Sequence, residues 1–212
     1  MLVKKFDFNM FPVNCYLLYD ETKEAVVIDA GCFFPEEKEH LKDCIESNGL
    51  ILKHVLNTHL HLDHVFGNPF LFKEYGLRPE ASREDEFWLA QASSMARSFG
   101  FMYDEKQPAL GRYLQEGDVI TFGNSELKVI HVPGHSPGSL VYYNEKDARL
   151  FSGDVLFEGS IGRADLQGGN FEELCEGIRN KLFVLPDDTR VCPGHGRYTS
   201  IEYEKRNNPF FR

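Results

Sequence analysis

Seven side chains in this sequence have the types and spacing that bind divalent metal ions. Four lie in the segment Thr58-His59-Leu60-His61-Leu62-Asp63-His64. Only 8 of the 212 residues are histidine, and three of them fall here, more than a solvated polar turn requires. His59 and His61 are two apart, so along an extended backbone their rings point to the same side. Asp63 and His64 are adjacent and are expected to leave the backbone on different sides, so that one segment can serve two neighbouring metal positions. Three later segments share a form in which a strand ends at a glycine-flanked ligand: Pro133-Gly134-His135-Ser136-Pro137-Gly138, Ser152-Gly153-Asp154 and Cys192-Pro193-Gly194-His195-Gly196. Glycine permits a sharp exit from a strand, which lets a ligand project from its end. Each alone reads as a turn; three in order after the His-rich segment read as a metal site.

The chemistry of such a set suits hydrolysis. Imidazoles and carboxylates without thiolate suit zinc, iron or manganese. Two divalent cations set against Asp63, Asp154 and a hydroxide leave a charge of about +1, enough to polarise a carbonyl and stabilise an oxyanion. A bound cation can also bring the pKa of water to near ~7, so neither a serine nor a cysteine nucleophile is needed.

Strands and helices must carry these ligands to one place. Apolar runs bounded by turn residues predict strands at 3–8, 15–19, 25–28, 54–56, 119–122, 127–132, 139–143, 149–152 and 189–192. Helices are predicted at 35–48, where Pro35 suits a first turn and Gly49 a stop, at 83–99 with Phe87, Trp88, Ala90 and Met95 available for packing, at 171–183 and at 201–207. Two groups of strands with helices around them imply a layered α/β architecture. No linker-like or repeated segment divides the 212 residues, so one domain is expected.

Composition narrows the partners. The five cysteines (Cys15, Cys32, Cys44, Cys175, Cys192) are odd in number and form no C-x-x-C, which fits a reducing, cytoplasmic setting and no thiolate zinc site. A net charge of −10 without a Lys/Arg cluster disfavours nucleic acid. No apolar run approaches the ~20 residues of a membrane span, and no apolar stretch follows Lys4 and Lys5 as a signal peptide would require. The partner expected is a small molecule.

The ordered set His59, His61, Asp63, His64, His135, Asp154 and His195 resembles the ligand pattern of the metallo-β-lactamase superfamily. That resemblance implies an αββα sandwich with the metal site at one edge between two mixed sheets. Asp29, in Val27-Ile28-Asp29-Ala30-Gly31, matches the family's Asp that supports a ligand from behind; it reads equally as a strand-end turn residue. Gly159-Ser160-Ile161-Gly162-Arg163-Ala164-Asp165 and Asn208-Pro209-Phe210 resemble the short glyoxalase II-like branch. By that resemblance His59, His61 and His135 hold the first metal, Asp63, His64 and His195 the second, and Asp154 bridges them. A hydroxide between the ions would attack a thioester, and the carboxylates Asp63 and Asp154 would be the catalytic side chains.

Full-length glyoxalase II holds glutathione partly with a C-terminal helical domain, whereas 17 residues follow His195 here. Arg197, Tyr198, Lys205 and Arg206 read either as contacts to an anionic thiol or as solvent-exposed charges. The alternative within the superfamily is persulfide dioxygenase, whose single iron would sit on His59, His135 and Asp154. Lactonases of the fold carry a Tyr where Phe157 stands, and β-lactam hydrolysis is disfavoured without an export signal. His40, His54 and His131 lie outside the pattern and read as structural.

Overall fold

Strand β2 (Val13–Tyr19) is almost wholly apolar and buried on both faces. Side chains alternate across a strand, so Cys15 and Leu17 pack to one side of the sheet while Tyr16 and Leu18 pack to the other. In the computed structural model, which describes residues 1–212, the same alternation builds two cores around the first sheet. That sheet runs β1 (Leu2–Phe8), β2, β3 (Glu24–Ile28), β4 (Ile51–Leu56), β5 (Pro79–Ala81), β6 (Arg112–Tyr113) in sequence order. It is antiparallel up to β3 and parallel beyond.

The second sheet takes the order β14 (Thr199–Ser200), β13 (Arg190–Pro193), β10 (Arg149–Gly153), β9 (Leu140–Asn144), β8 (Ser125–His131), β7 (Val119–Phe122). Only β10 and β13 run parallel in it. A short ribbon, β11 (Leu156–Phe157) with β12 (Ser160–Ile161), stands apart. Between the sheets, Tyr16, Leu18, Val26 and Ile28 meet Ile120, Phe122, Leu140 and Tyr142. Leu41, Cys44 and Ile45 of α1 (Pro35–Ser47) and Leu71 of α3 (Asn68–Tyr75) cover the outside of the first sheet. Leu174 of α5 (Phe171–Gly177), the π-turn Ile178–Leu182 and Ile201 of α6 (Ile201–Asn207) cover the second. The architecture is the αββα sandwich. No helix is long and apolar enough to cross a membrane.

Two predicted helices are broken in the fold. The 83–99 stretch splits into a 3-10 turn, Arg83–Asp85, and α4 (Phe87–Ser98), because Asp85 turns inward to bond Gly138 and Ser136. Ala90 is exposed; Ala92 and Ala96 supply the small buried face beside Trp88. At 171–183 the α-helix ends at Gly177 and continues as the π-turn, which keeps both Ile178 and Leu182 on the sheet. The short parallel strands β5 and β6, the helix α3 and the single turn α2 (Leu62–Val65) have too little periodicity to be read from sequence.

Asp20 ties the ends of the two sheets together. Its Oδ1 accepts bonds from Thr22 N (3.0 Å) and Oγ1 (2.6 Å), and its Oδ2 from Asn124 N (2.7 Å) and Ser125 Oγ (2.8 Å). Gly123 makes the approach possible: its φ is +55°, and a Cβ would run into Asp20 and Thr22. Burial works against the charge, yet the bonds from Thr22 and Ser125 bring the carboxyl down to about 2. A depressed carboxylate stabilises the fold above its ordinary value of 3.8, and that stability is lost as pH falls towards about 2. Asp20→Ala is therefore expected to cost roughly 2–4 kcal/mol in urea unfolding of the metal-free protein at pH 7. The gap to the unaltered chain should narrow between pH 4 and pH 2; a gap independent of pH would contradict this account.

Candidate metal centre

The seven side chains singled out by sequence are delivered to one edge of the sandwich by four strand ends. His59 and His61 lie in the extended stretch after β4, His135 after β8, Asp154 after β10 and His195 after β13. Backbone bonds lace the two sheets together at this edge: Asn14 N donates to Gly194 O (2.7 Å) and Leu140 N to Thr58 O (2.7 Å). Tyr16 and Tyr142 donate their buried hydroxyls to Pro193 O and Asn57 O, fixing the strands that carry His195 and His59. Asp63 and His64 differ from the sequence expectation. They sit on the turn α2, whose ~100° step per residue lets both face one position, shared with His195, instead of diverging.

His135 Nε2 lies 2.9 Å from His61 Nδ1 and 3.2 Å from His59 Nε2. His195 Nε2 lies 3.2 Å from Asp63 Oδ2 and 3.5 Å from Asp154 Oδ2, and His64 Nε2 lies 3.5 Å from Asp154 Oδ1. A tetrahedral ion with bonds near ~2.05 Å spaces its donors about 3.3 Å apart, so these separations fit metal ligation. The donor atoms also lack other uses: His64 Nε2 and Asp154 Oδ1 are buried without hydrogen-bond partners. Three overlapping groups could hold cations: His59, His61 and His135; His59, His64 and Asp154; and Asp63, His64 and His195. Gly194 is required for space, since a Cβ there would meet Asp154 Oδ1 and the His64 ring. Gly134 and Gly153 are the sharp exits proper, with φ of +125° and +50°.

Hydrogen bonds on the far side of each ring choose its tautomer. His135 Nδ1–H donates to Arg163 O (2.8 Å) and His195 Nδ1–H to Pro12 O (3.1 Å), leaving each Nε2 with a lone pair facing the cluster. Thr58 Oγ1 donates to Asp29 Oδ2 (2.7 Å) and so accepts from His59 Nδ1–H (3.0 Å). His61 is reversed, presenting Nδ1, while its Nε2 is buried without a partner and its ring lies edge-on to Trp88 at 4.9 Å. Asp29 Oδ2 approaches His64 Nδ1 at 3.1 Å, as an ion pair and not an aligned hydrogen bond. Of the two readings of Asp29, the supporting one agrees with this contact.

The charges separate into two halves. Burial, reinforced by the neighbouring imidazoles, pushes His59 well below its usual range, and burial beside the His135 ring takes His61 to about 3, so both rings are neutral. His64 goes the other way: burial opposes its proton, but Asp154, Asp63 and Asp29 hold it. The same attraction draws the two carboxylates Asp63 and Asp154 below their usual range despite burial. Without a cation the acidic half keeps a proton that a metal must displace.

Asp85 escaped the sequence reading because it sits in a charged string, Arg83-Glu84-Asp85-Glu86, that looks like a solvated helix face. It is fully buried. Oδ2 accepts from Ser136 Oγ (2.7 Å) and Leu60 N (3.2 Å), and Oδ1 accepts from Gly138 N (2.6 Å), so one carboxylate staples the His59–His61 stretch to the His135 loop. Burial pushes its pKa up against these bonds. The remaining histidines stay away from the cluster. His40 is exposed and edges onto Phe6, His54 pairs with Glu80 (2.6 Å), and His131 bonds Pro137 O (2.8 Å). Lys205 pairs with Asp187 and Arg206 with Glu202, while Arg197 and Tyr198 are exposed, as solvent-facing charges and rings would be.

A cavity of about 200 Å³ opens on His61, Asp63, His135 and Asp154. A larger cleft of about 510 Å³, between α4 and residues 104–109, touches none of the seven side chains.

Fold and site together define a metal-binding αββα protein. A sequence model of the metallo-beta-lactamase superfamily matches residues 9–195, and the chain belongs to that superfamily. It is 38% identical to hydroxyacylglutathione hydrolase GloC of Haemophilus influenzae, covering 94% of this chain and 93% of that protein. Two solved structures are each 36% identical. The BLEG-1 B3 metallo-beta-lactamase superposes with a TM-score of 0.89, covering 99% of both chains. TTHA1623 in a di-iron-bound form superposes with a TM-score of 0.88, covering 98% of this chain and all of that one.

Reconstituted protein is expected to hold close to two metal ions per chain by mass spectrometry. Asp154→Ala should lower both occupancy and activity by at least about tenfold more than His64→Ala, because the Asp154 carboxylate reaches His135 (3.8 Å) on one side and His64 and His195 (3.5 Å each) on the other; equal losses would break the assignment. Asp85→Ala, which touches no donor atom, should weaken metal affinity about 10–100-fold and cost roughly 3 kcal/mol of stability, since three buried donors lose their acceptor. Unaltered affinity, measured by competition with a chromogenic chelator, would rule out the staple.

Proposed function

We propose that this protein is a two-metal hydrolase that cleaves thioesters, in the manner of hydroxyacylglutathione hydrolase. The observation that carries the reading is the seven-donor cluster, four of whose side chains (His61, Asp63, His135 and Asp154) line the 200 Å³ cavity, with Asp154 Oδ2 lying 3.8 Å from His135 Nε2 and 3.5 Å from His195 Nε2. His59, His61 and His135 would hold one ion, Asp63, His64 and His195 the other, and Asp154 would serve both. Divalent cations there supply Lewis acidity to a carbonyl oxygen and bring a water's pKa towards neutrality. The chain's own part is to fix the rings through Arg163 O, Pro12 O and Thr58, and to balance the cationic charge with Asp63 and Asp154.

The leaving group argues for a thioester. Apart from the donor cluster, the cavity lining offers no Lys, Tyr, Ser or Cys to protonate a departing amine. A thiolate, whose conjugate acid has a pKa near ~8.5, departs without that help. The GloC relative supports the same reading, since this chain is 38% identical to it and spans 93% of that protein, which bears the name hydroxyacylglutathione hydrolase. Zinc is our first choice of metal, with iron or manganese compatible with the same ligands, and the di-iron neighbour keeps iron in the test.

Zinc- and iron-loaded preparations should both be given S-lactoylglutathione and a simple S-acyl thiol. Hydrolysis of both is expected, with a preference for glutathione below about a hundredfold in kcat/KM, or ~2.7 kcal/mol. A larger preference would mean a dedicated glutathione site. No hydrolysis, together with oxygen uptake on glutathione persulfide by the iron form, would assign the chain to the persulfide dioxygenases. Turnover confined to a chromogenic cephalosporin would place its chemistry with that of the BLEG-1 neighbour.

A further inference from the structure

One wall of the cavity is apolar in a way that metal binding does not explain. Phe11, from the β1–β2 turn, Met95 and Phe99, from the end of α4, and Leu166, from the loop after β12, line it. Phe99 is 58% exposed although it is a large aromatic ring. It is held at the mouth by the C-terminal cap of α4, where Gly100 takes a φ of +86°, and by edge-on contact with Phe11 at 5.2 Å. Phe11 also packs against Phe101 (6.2 Å), which in turn contacts Phe33 (5.7 Å), so the wall is backed by the core. An exposed ring beside a reactive centre, supported from behind, is a surface waiting for an apolar group.

The cavity is equally informative in what it withholds. Its only cationic side chain is Arg163, and that guanidinium is occupied by Asp165 through two parallel 2.7 Å bonds. Away from the metal donors, a substrate carboxylate would meet no unpaired cationic side chain in the lining, whereas an alkyl or aryl group would find Phe11, Met95, Phe99 and Leu166.

We infer that the group bonded to the reacting carbonyl is an apolar acyl chain, seated on Phe11, Met95, Phe99 and Leu166, in preference to a small hydroxyacyl group. This rests on the hydrolase reading above and specifies its substrate class. Each methylene buried against the wall should raise kcat/KM about fourfold, the equivalent of ~0.8 kcal/mol, until the cavity is full.

The test uses the zinc-loaded full chain and thioesters of the uncharged thiol N-acetylcysteamine carrying acetyl, butyryl, hexanoyl and lactoyl groups. The expected result is a rise of at least about tenfold from acetyl to hexanoyl, with lactoyl near acetyl and the gain mostly in KM. Phe99→Ala should flatten that rise and Phe99→Leu should largely retain it. A second readout is independent of turnover. Trp88 is the only tryptophan and touches His61, so its fluorescence can report occupancy; hexanoate should titrate it at lower concentration than lactate, and Phe99→Ala should remove the difference. Thioesters cleaved with no dependence on chain length, or with lactoyl preferred, would overturn the acyl wall and leave the hydrolase reading intact. If no thioester is cleaved, the hydrolase reading fails, and the Trp88 titration decides the wall alone: equal affinities for hexanoate and lactate would overturn it.

Discussion

Seven donor groups held within a few ångströms of one another, with lone pairs aimed at a common centre, are the constraint on which the rest of this structure depends. Such groups do not attract each other. Neutral imidazoles 2.9–3.2 Å apart gain nothing from their closeness, and the carboxylates Asp63 and Asp154 repel. Something outside the cluster has to hold each one in place. The structure answers with a partner behind most rings: a backbone carbonyl for His135 and His195, the Thr58–Asp29 pair for His59, and the Asp29 carboxylate for His64. Each partner also sets which nitrogen keeps its proton, and hence which is free to bind.

The sandwich makes that economy possible. Two sheets meeting along one edge bring four strand ends together, and cross-sheet backbone bonds keep them there. Buried tyrosines and a buried aspartate complete the support. Tyr16 and Tyr142 reach between layers to carbonyls beside the ligand stretches, and Asp85 binds the two loops that carry His59, His61 and His135. A charge as deeply buried as that of Asp85 is costly by itself. Its three donors make it tolerable, and rigid ligand loops are what it contributes.

The opening of the site follows a different logic from its floor. The floor is polar and determined by metal chemistry, which many substrates could exploit. The rim is made of residues from the β1–β2 turn, the end of α4 and the loop after β12, elements outside the ligand-bearing strands. Two of those elements, the β1–β2 turn and the loop after β12, also carry the Pro12 and Arg163 carbonyls that orient His195 and His135, so rim and floor are coupled through the backbone. Rings such as Phe99 can change without moving a donor atom.

Sequence by itself determined the donor set and most of the strands. Histidines at 59, 61 and 64 are too concentrated to be incidental, and glycine-flanked ligands in order carry a local signature; the strands on both sides of the core announce themselves by unbroken apolar runs such as Cys15 to Leu18, because both their faces are buried. The tertiary structure decided the rest. Whether Asp63 and His64 diverge or converge depended on a four-residue helical turn too short to have a period. Pro12 and Arg163 orient histidines through their carbonyl oxygens, which every residue possesses, so no side-chain pattern can mark them. Asp85 looked like one more surface acid, and the 83–99 helix looked continuous, because the bonds that draw Asp85 inward come from residues 25 to 53 positions away along the chain. Local sequence encodes what a residue can do, whereas its neighbours across the fold determine which of those capacities is used.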